Sequence, residues 1–355
     1  MKLLYITNGI TGVGGLERVL SIKASYLAEH YNYDVHILTL NEKDKQPFYI
    51  FSPQIEFHSI LYTGILSYLS GLCKAEKEIK PDIISVCDDG LKGFFIPRII
   101  KGIPIIYERH ASILLNTSDS VKGKIAKYLM KSQIKHFKKF VVLTESNCKE
   151  WNKENVIAIP NPLSFYSEKS SALTQKKVIV VGSHSYNKGY DLLLQSWKIV
   201  STTYPDWELH IYGKIDANET YIKMAAEMDL TQYVYFHPPT DDIQQAYLES
   251  SIMLLSSRSE GFGMVLIEAM SCGVPCVSFD CSSGPSDIIT EGEDGFLVTN
   301  GNVKELAEKI ICLIENNDIR KQMGKAAKEN VKRYLPENIM LQWNSLFQNL
   351  LHKQN

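Results

Sequence analysis

Short apolar runs alternate with segments of helical period along the first half of the chain. LLYIT (3–7) reads as a first strand and runs into a Gly-rich loop. Residues 16–30 then place Leu16, Val19, Leu20, Lys23 and Leu27 at the spacing of one helix face. VHILTL (35–40), DIISV (82–86), IPIIYE (103–108) and FVVLT (140–144) are further strand-like runs. Continuous apolar strands separated by helical segments predict βαβ units and a parallel sheet buried on both faces.

Pro160-Asn161-Pro162 interrupts this pattern, and a polar Ser/Lys/Thr stretch (164–177) follows, the composition of a linker. A second alternating series starts at KVIVVG (177–182). Its other strands are LHIYG (209–213), YVYFH (233–237), IMLLSS (252–257) and PCVSF (275–279). Helical segments are expected at 189–200, 219–228, 241–249 and 263–271, then at 303–316 and 318–333, with a terminal helix over 337–351. The predicted organisation is a Rossmann-like domain over 1–162, a linker over 163–176, a second Rossmann-like domain over 177–336 and a tail over 337–355. Ligands of doubly wound sheets bind at the carboxyl ends of the strands, so the cleft between two such domains is the expected site.

Composition changes the picture in three ways. The 355 residues suit about two domains of roughly 150 residues each. A formal charge of −2, with 38 basic and 40 acidic residues, excludes a globally basic nucleic-acid binder and a strongly acidic disordered chain. That total hides an asymmetry: residues 1–160 hold 21 Lys+Arg against 16 Asp+Glu, a net +5, and residues 161–355 hold 17 against 24, a net −7. No uncharged apolar stretch reaches about 20 residues, and Leu3–Ile6 is too short for a secretory apolar region. Seven scattered cysteines then imply free thiols in a reducing cytoplasm. Cys272, Cys276 and Cys281 lack a zinc spacing and read as small core residues. Asp88-Asp89 lacks the D-x-D spacing of a metal-binding acidic pair and reads as a solvated loop.

Four segments carry candidate chemistry. Gly12-Val13-Gly14-Gly15 follows the first strand and opens a helix, a place where backbone amides approach a phosphate. Glu17 stands where a dinucleotide fingerprint needs its third glycine. Glu108-Arg109-His110 ends a strand, where α/β domains place reactive groups. Gly182-Ser183 through Lys188-Gly189 follows the first strand of the second series, with Lys188 a point charge at a helix start. The most informative is Ser257-Arg258-Ser259-Glu260-Gly261-Phe262-Gly263-Met264-Val265, followed by Glu268 inside an apolar run. Amides at the start of that helix can hold a diphosphate, and the ionised Glu268 needs a polar partner such as a pair of sugar hydroxyls.

Glu260 and Glu268 form the E-x7-E motif, and nearly the whole chain resembles the family 4 retaining glycosyltransferases of the GT-B fold, of the bacterial surface-polysaccharide and lipopolysaccharide type. The Gly14-Gly15 loop, His110, the Pro-Asn-Pro linker, Lys188-Gly189 and Gly284-Pro285-Ser286-Asp287 fall in the family's order. The resemblance implies that Glu260 contacts the donor sugar, Glu268 binds ribose hydroxyls and Lys188 meets the diphosphate. His110 would lie beside the transferred sugar. Gly182, Ser183 and Gly213 would belong to the donor site, with Gly261, Phe262, Gly263, Met264 and Val265. Gly14, Gly15 and Arg109 would line an acceptor and phosphate loop. The terminal helix would cross back to the N-domain. A UDP-sugar would be a substrate, with no cofactor and no bound metal required. The reaction implied is transfer of a hexose or N-acetylhexosamine, with retention, to a glycan or a polyprenyl or other lipid-linked acceptor. One departure stands out: the family's Arg after the Val-Gly pair is Ser183 here. A charge-assisted hydrogen bond contributes roughly 1.5–3 kcal/mol. Either Lys188 and the helix amides suffice, or Arg258 or Arg109 substitutes, or the chain is a catalytically weak or silent nucleotide-sugar-binding protein.

Residues 120–144 hold seven lysines and no acid, with Ile125, Leu129, Ile134 and Phe137 at roughly helical spacing. This reads as a basic amphipathic element against an anionic membrane, and the alternative is a solvated face over a core-facing stripe. The expected location is the cytoplasm, peripheral at the inner face of the plasma membrane. A nicotinamide oxidoreductase is a further alternative, from the Gly-rich loop and the acidic Glu42 after the second strand. The missing third glycine and the unexplained E-x7-E oppose it.

Overall fold

The computed structural model describes residues 1–88, 90–112 and 121–352. The chain divides into two compact units. The first is Met1–Ser164 with Tyr334–Asn355, and the second is Phe165–Arg333.

The first unit is built on seven parallel strands. They are β1 (Lys2–Thr7), β2 (Asp34–Leu40), β3 (Glu56–Ile60), β4 (Ile83–Cys87), β5 (Ile105–Glu108), β6 (Lys139–Val142) and β7 (Val156–Ala158), in the order β3-β2-β1-β4-β5-β6-β7. β4 and β5 are buried at every residue, which explains their unbroken apolar runs. An aromatic cluster fills one face: Tyr107 stacks on Phe140 at 5.1 Å between ring centroids, and Phe94 lies 4.3 Å from Tyr107. The second unit has six parallel strands: β8 (Lys177–Val181), β9 (Glu208–Tyr212), β10 (Val234–His237), β11 (Ile252–Leu255), β12 (Cys276–Asp280) and β13 (Gly295–Thr299). Their order is β10-β9-β8-β11-β12-β13. Its core packs Trp197, Leu209, Phe279 and Ile310, all fully buried.

In both units the chain starts at a central strand, adds neighbours on one side, then returns and builds outward on the other. That reversal creates a switch point between β1 and β4, and again between β8 and β11, where the connecting loops part and leave a crevice. The sequence pattern predicts ten of these strands. β3, β7 and β13 escape it, as does the helix Ile65–Ile79. β7 has three residues and β3 carries Glu56 and His58 on the face that a strand would bury, so neither shows an apolar run.

The terminal helix Pro336–His352 belongs to the first unit and packs on the helix Gly15–Tyr31. Tyr33 donates to Asn344 Oδ1 at 2.6 Å, and the Lys23 ammonium lies 4.1 Å from the Trp343 ring centre. This resolves the lysine in an otherwise apolar helical stripe. Lys23 is buried and forms an ion pair with the buried Glu108 at the end of β5. Ser85 Oγ donates to the other carboxylate oxygen at 2.5 Å. Burial pushes the Glu108 carboxyl up, but the Lys23 ammonium and His110 outweigh it and hold the group down at about 2, against an ordinary 4.5.

A carboxylate whose folded value is depressed stabilises the fold above its unfolded value, and that stabilisation disappears as pH falls through the folded one. Lys23→Met leaves the carboxylate buried without its cation and should cost about 3–5 kcal/mol near neutral pH. The gap between wild type and variant in urea unfolding should close as pH falls from 4.5 towards about 2. A gap that does not change over that window would show that the pair is not the source of the difference.

Candidate active site

The switch point of the second unit collects the strongest sequence candidates. β8 and β11 are paired neighbours, and the loop after each contributes one half of the site. Four hydrogen bonds join the two loops, one of them from Arg258 Nη1 to Tyr186 O at 2.6 Å. Arg258 N donates to Asn187 O at 2.7 Å, Asn187 Nδ2 to Ser259 O at 2.8 Å, and Ser256 Oγ to Lys188 O at 2.8 Å. Gly189 makes the turn into the helix Tyr190–Thr203 at φ +65°, and a Cβ there would stand 2.1 Å from the Ser256 carbonyl oxygen. Only glycine fits that close approach. The result is that Lys188 Nζ sits 2.7 Å from Glu260 Oε1, with side chains 21% and 13% exposed. Ser283 Oγ donates to the Glu260 carbonyl at 2.8 Å and fixes the loop from its other side.

Beyond Glu260 the chain passes Gly261 and the buried Phe262. It turns at Gly263 (φ +107°) into the helix Met264–Ser271. Its first amides, at Met264 and Val265, have no partner within the helix and carry the positive end of its dipole. Glu268 is the fifth residue of that helix. It is 2% exposed and lies 3.4 Å from Tyr247 Oη. Gly213 ends β9 against the Gly182 backbone, so close that a Cβ would overlap the Gly182 carbonyl oxygen. Ser183 is exposed at the tip of the loop after β8. His184 behind it is buried against Tyr190, Tyr221 and Phe236. Burial pushes its imidazole below the ordinary value although Asp216 opposes the shift. Sequence reasoning passed over this histidine, whose aromatic neighbours come from three separate segments.

The cations proposed to replace the missing Arg are engaged elsewhere. Arg258 forms a bidentate pair with Asp191 (Nη1–Oδ1 2.9 Å, Nη2–Oδ2 2.7 Å) and lies 3.9 Å over the Tyr186 ring. Arg109, in the first unit, is 2% exposed and donates Nε to Ala111 O and Nη2 to Ser112 O, both at 2.9 Å. It braces the loop after β5, and turning to a ligand would leave the buried Ser112 carbonyl without this donor.

In the first unit, the loop after β1 is tied down by Glu42, which accepts from Ile10 N at 2.7 Å and from Thr11 Oγ1 at 2.5 Å. That engagement removes Glu42 as a ribose acceptor and with it the main support for the oxidoreductase reading. Gly14 and Gly15 are exposed at the start of the helix Gly15–Tyr31. His110 Nε2 lies 3.3 Å from Glu108 Oε2, so the buried Lys23–Glu108 pair also sets the position of this imidazole. Asp88 is buried, not solvated, and accepts from Asn8 Nδ2 at 2.8 Å and Gly90 N at 2.7 Å, bracing the switch point. Asp89 lies outside the described residues, as does Ser120 at the start of the basic segment. Cys272, Cys276 and Cys281 are buried, free thiols. Burial raises all three, Cys272 to about 11 and Cys281 to about 12, which leaves them inert core residues.

Residues 165–330 match the family described as glycosyl transferases group 1. An uncharacterized glycosyltransferase of Haemophilus influenzae is 29% identical, over 97% of this chain and 99% of its own length. The amylovoran biosynthesis glycosyltransferase AmsD of Erwinia amylovora is 28% identical over the same shares. Among solved structures, a mutant of S. aureus TarM in complex with Fondaparinux, alpha-GlcNAc-glycerol and UDP superposes with a TM-score of 0.81. Identity is 16%, and the match covers 98% of this chain and 99% of that one. The two Rossmann-like units are thus those of the GT-B fold. The residues that match the glycosyl transferases group 1 family span nearly all of the unit that brings Lys188 and Glu260 together over an open helix start.

Proposed function

We propose that the chain is a retaining hexosyltransferase of family 4. It would move a hexose or N-acetylhexosamine from a UDP-sugar to a glycan or lipid-linked acceptor in surface-polysaccharide assembly, without a bound metal. The observation that carries this reading is the Lys188–Glu260 contact beside the amide-lined start of the helix Met264–Ser271. Bond breaking places charge on the leaving diphosphate. A preorganised ammonium and oriented amides stabilise that charge without reorganising as it forms. Glu260 holds Lys188 in place before the donor arrives and then offers its carboxylate to the sugar. Glu268, buried and with a tyrosine hydroxyl near one oxygen, would accept from ribose hydroxyls. Retention would follow front-face transfer, with the leaving diphosphate assisting removal of the acceptor proton. Within the first unit, Glu108 holds the His110 imidazole in one orientation.

One observation favours a second reading, a weak or silent nucleotide-sugar-binding protein. Ser183 replaces a cation, and Arg258 and Arg109 are both engaged. UDP release coupled to glycosylation of an acceptor separates the two readings. If the enzyme reading holds, Lys188→Ala lowers kcat by about 10²-fold or more, the scale of losing one transition-state donor. Sugar transfer by that variant at near-normal rate would remove Lys188 from the mechanism.

Membrane docking belongs to the same proposal. Among the described residues no helix is long and apolar enough to cross a membrane. On the helix Val121–Gln133, however, Val121, Ile125, Tyr128 and Leu129 share one face and are all exposed, from 37% to 74%. Lys122, Lys124 and Lys127 flank them in solvent. Of the four apolar positions the sequence singles out, Ile125 and Leu129 are exposed, whereas Ile134 and Phe137 are buried in the core, so the core-facing stripe holds for the second half of the segment only. Each lysine near an anionic leaflet contributes about 1 kcal/mol. The protein should float with liposomes containing anionic lipid and remain behind with neutral ones. Replacing the three lysines by Gln should abolish flotation, and flotation indifferent to both changes would overturn this docking surface.

A further inference from the structure

At the edge of the first sheet, away from the carboxyl ends of the strands, two histidines and two carboxylates converge. Asp34 and His36 lie on β2 and Glu56 and His58 on β3, with His36 in register opposite Glu56. His36 is buried, at 4% exposure, which is unusual for an imidazole on a strand next to an edge. Its Nδ1 lies 2.9 Å from His58 Nε2 and 3.4 Å from Glu56 Oε2, and those two partner atoms are 3.9 Å apart. Ligand bonds of about 2.0–2.1 Å around tetrahedral zinc place neighbouring donor atoms roughly 3.3–3.4 Å apart. The three separations bracket that value.

The other nitrogen of His36 completes the pattern. Nε2 lies 3.1 Å from Asp34 Oδ1, and Asp34 is itself held by Lys2 Nζ at 3.0 Å. A carboxylate behind a histidine fixes the tautomer and turns the opposite lone pair towards a metal. The Asp34 contact is an ion-pair distance without hydrogen-bond geometry at Nε2, so it orients the ring by charge alone; a proton on Nε2 leaves Nδ1 of His36 facing His58 Nε2 as a bare lone pair. The contact at 2.9 Å then needs either a proton on His58 Nε2 or a cation between the two rings.

We infer that His36 Nδ1, His58 Nε2 and Glu56 form a binding site for a divalent transition metal of the zinc class. Asp34 is its supporting carboxylate, and water fills the fourth position. Two imidazoles and one carboxylate suit Zn2+ and disfavour Ca2+ or Mg2+, which take oxygen ligands. The site clips the edge strand β3 to β2 and is separate from the proposed transfer chemistry, so its success or failure leaves the glycosyltransferase reading untouched.

The second unit supplies an internal control. His210 Nδ1 also lies 2.9 Å from His237 Nε2, and Glu208 reaches only the far nitrogen of His210, at 3.0 Å. Tyr235 stands two residues before His237, the place that Glu56 takes before His58. That pair therefore lacks the third ligand. The experiment uses the full chain, stripped with a chelator and titrated with Zn2+ by calorimetry and with Co2+ by its visible absorption. The expected result is one saturable equivalent with the intense bands of four-coordinate Co2+. His58→Gln should weaken binding by at least about 100-fold, Asp34→Asn by about 10–100-fold, and His237→Gln not at all. Both His58 and Glu56 are accessible enough for substitution without unfolding the sheet. Absence of saturable binding, or binding unchanged by His58→Gln, or equal loss with His237→Gln, would overturn the site.

Discussion

The parting of two loops between neighbouring parallel strands is the constraint on which the rest depends. β8 and β11 pair side by side, yet the chain leaves β8 towards β9 and leaves β11 towards β12 on the opposite side. No connection covers the ends of both strands. Residues far apart in sequence thereby become neighbours in an open crevice, and Lys188 meets Glu260 across 72 positions. The glycines serve this geometry. Gly189 lets its loop lie against the Ser256 carbonyl, and Gly284 does the same against Phe262, where a Cβ would stand 2.1 Å from the carbonyl oxygen. A side chain at either place would push apart the loops that hold the ion pair.

The two units use ion pairs to opposite ends. Lys23 and Glu108 are almost wholly excluded from water, at 1% and 2% side-chain exposure. Desolvating both charges is expensive, so such a pair brings specificity of position more than stability, and it resists rearrangement because either partner alone would be left charged in the interior. That suits a group whose task is to hold His110 and the loop after β5. The Lys188–Glu260 pair is reached by solvent, so its Coulomb energy is modest and it separates at little cost. On the proposed reading, in which the cation transfers from a carboxylate to an incoming diphosphate, that weaker bond is what the site requires.

Much of this was legible in the sequence because the relevant signals are local. The alternation of apolar runs specifies parallel sheets, and the E-x7-E segment with its glycines lies in one loop and the helix after it. The parts that escaped are those set by partners distant in the chain. Lys23 sits at a periodic apolar position, but its partner is 85 residues away. Asp88 looks like a loop residue until Asn8 and Gly90 are seen to bond to it. Arg258 looks like a spare cation beside the motif, and only the fold brings Asp191 to it. β3 hides because its inward face is polar, and the same polar face, set beside β2, makes the histidine cluster. The basic segment shows the converse. Its helical period was visible, but periodicity cannot say which face is buried, and the structure turns the apolar side of residues 121–129 to solvent.

The charge asymmetry of the chain takes on a different meaning at this scale. Residues 161–355 carry a net −7, which would repel a nucleoside diphosphate if net charge governed binding. Exposed charges more than about 10 Å away are largely screened at ordinary ionic strength. On the proposed reading Lys188 and the helix amides act at contact distance, well inside that screening length. On the proposed reading the site needs no basic surroundings. It needs one ammonium held ready, a helix start left open, and acids elsewhere far enough away to be screened. The loss of an Arg at Ser183 places more of the work on those two elements. The Arg258–Asp191 pair then matters indirectly, because Asp191 neutralises Arg258 while Arg258, lying over Tyr186, stiffens the turn that presents Lys188.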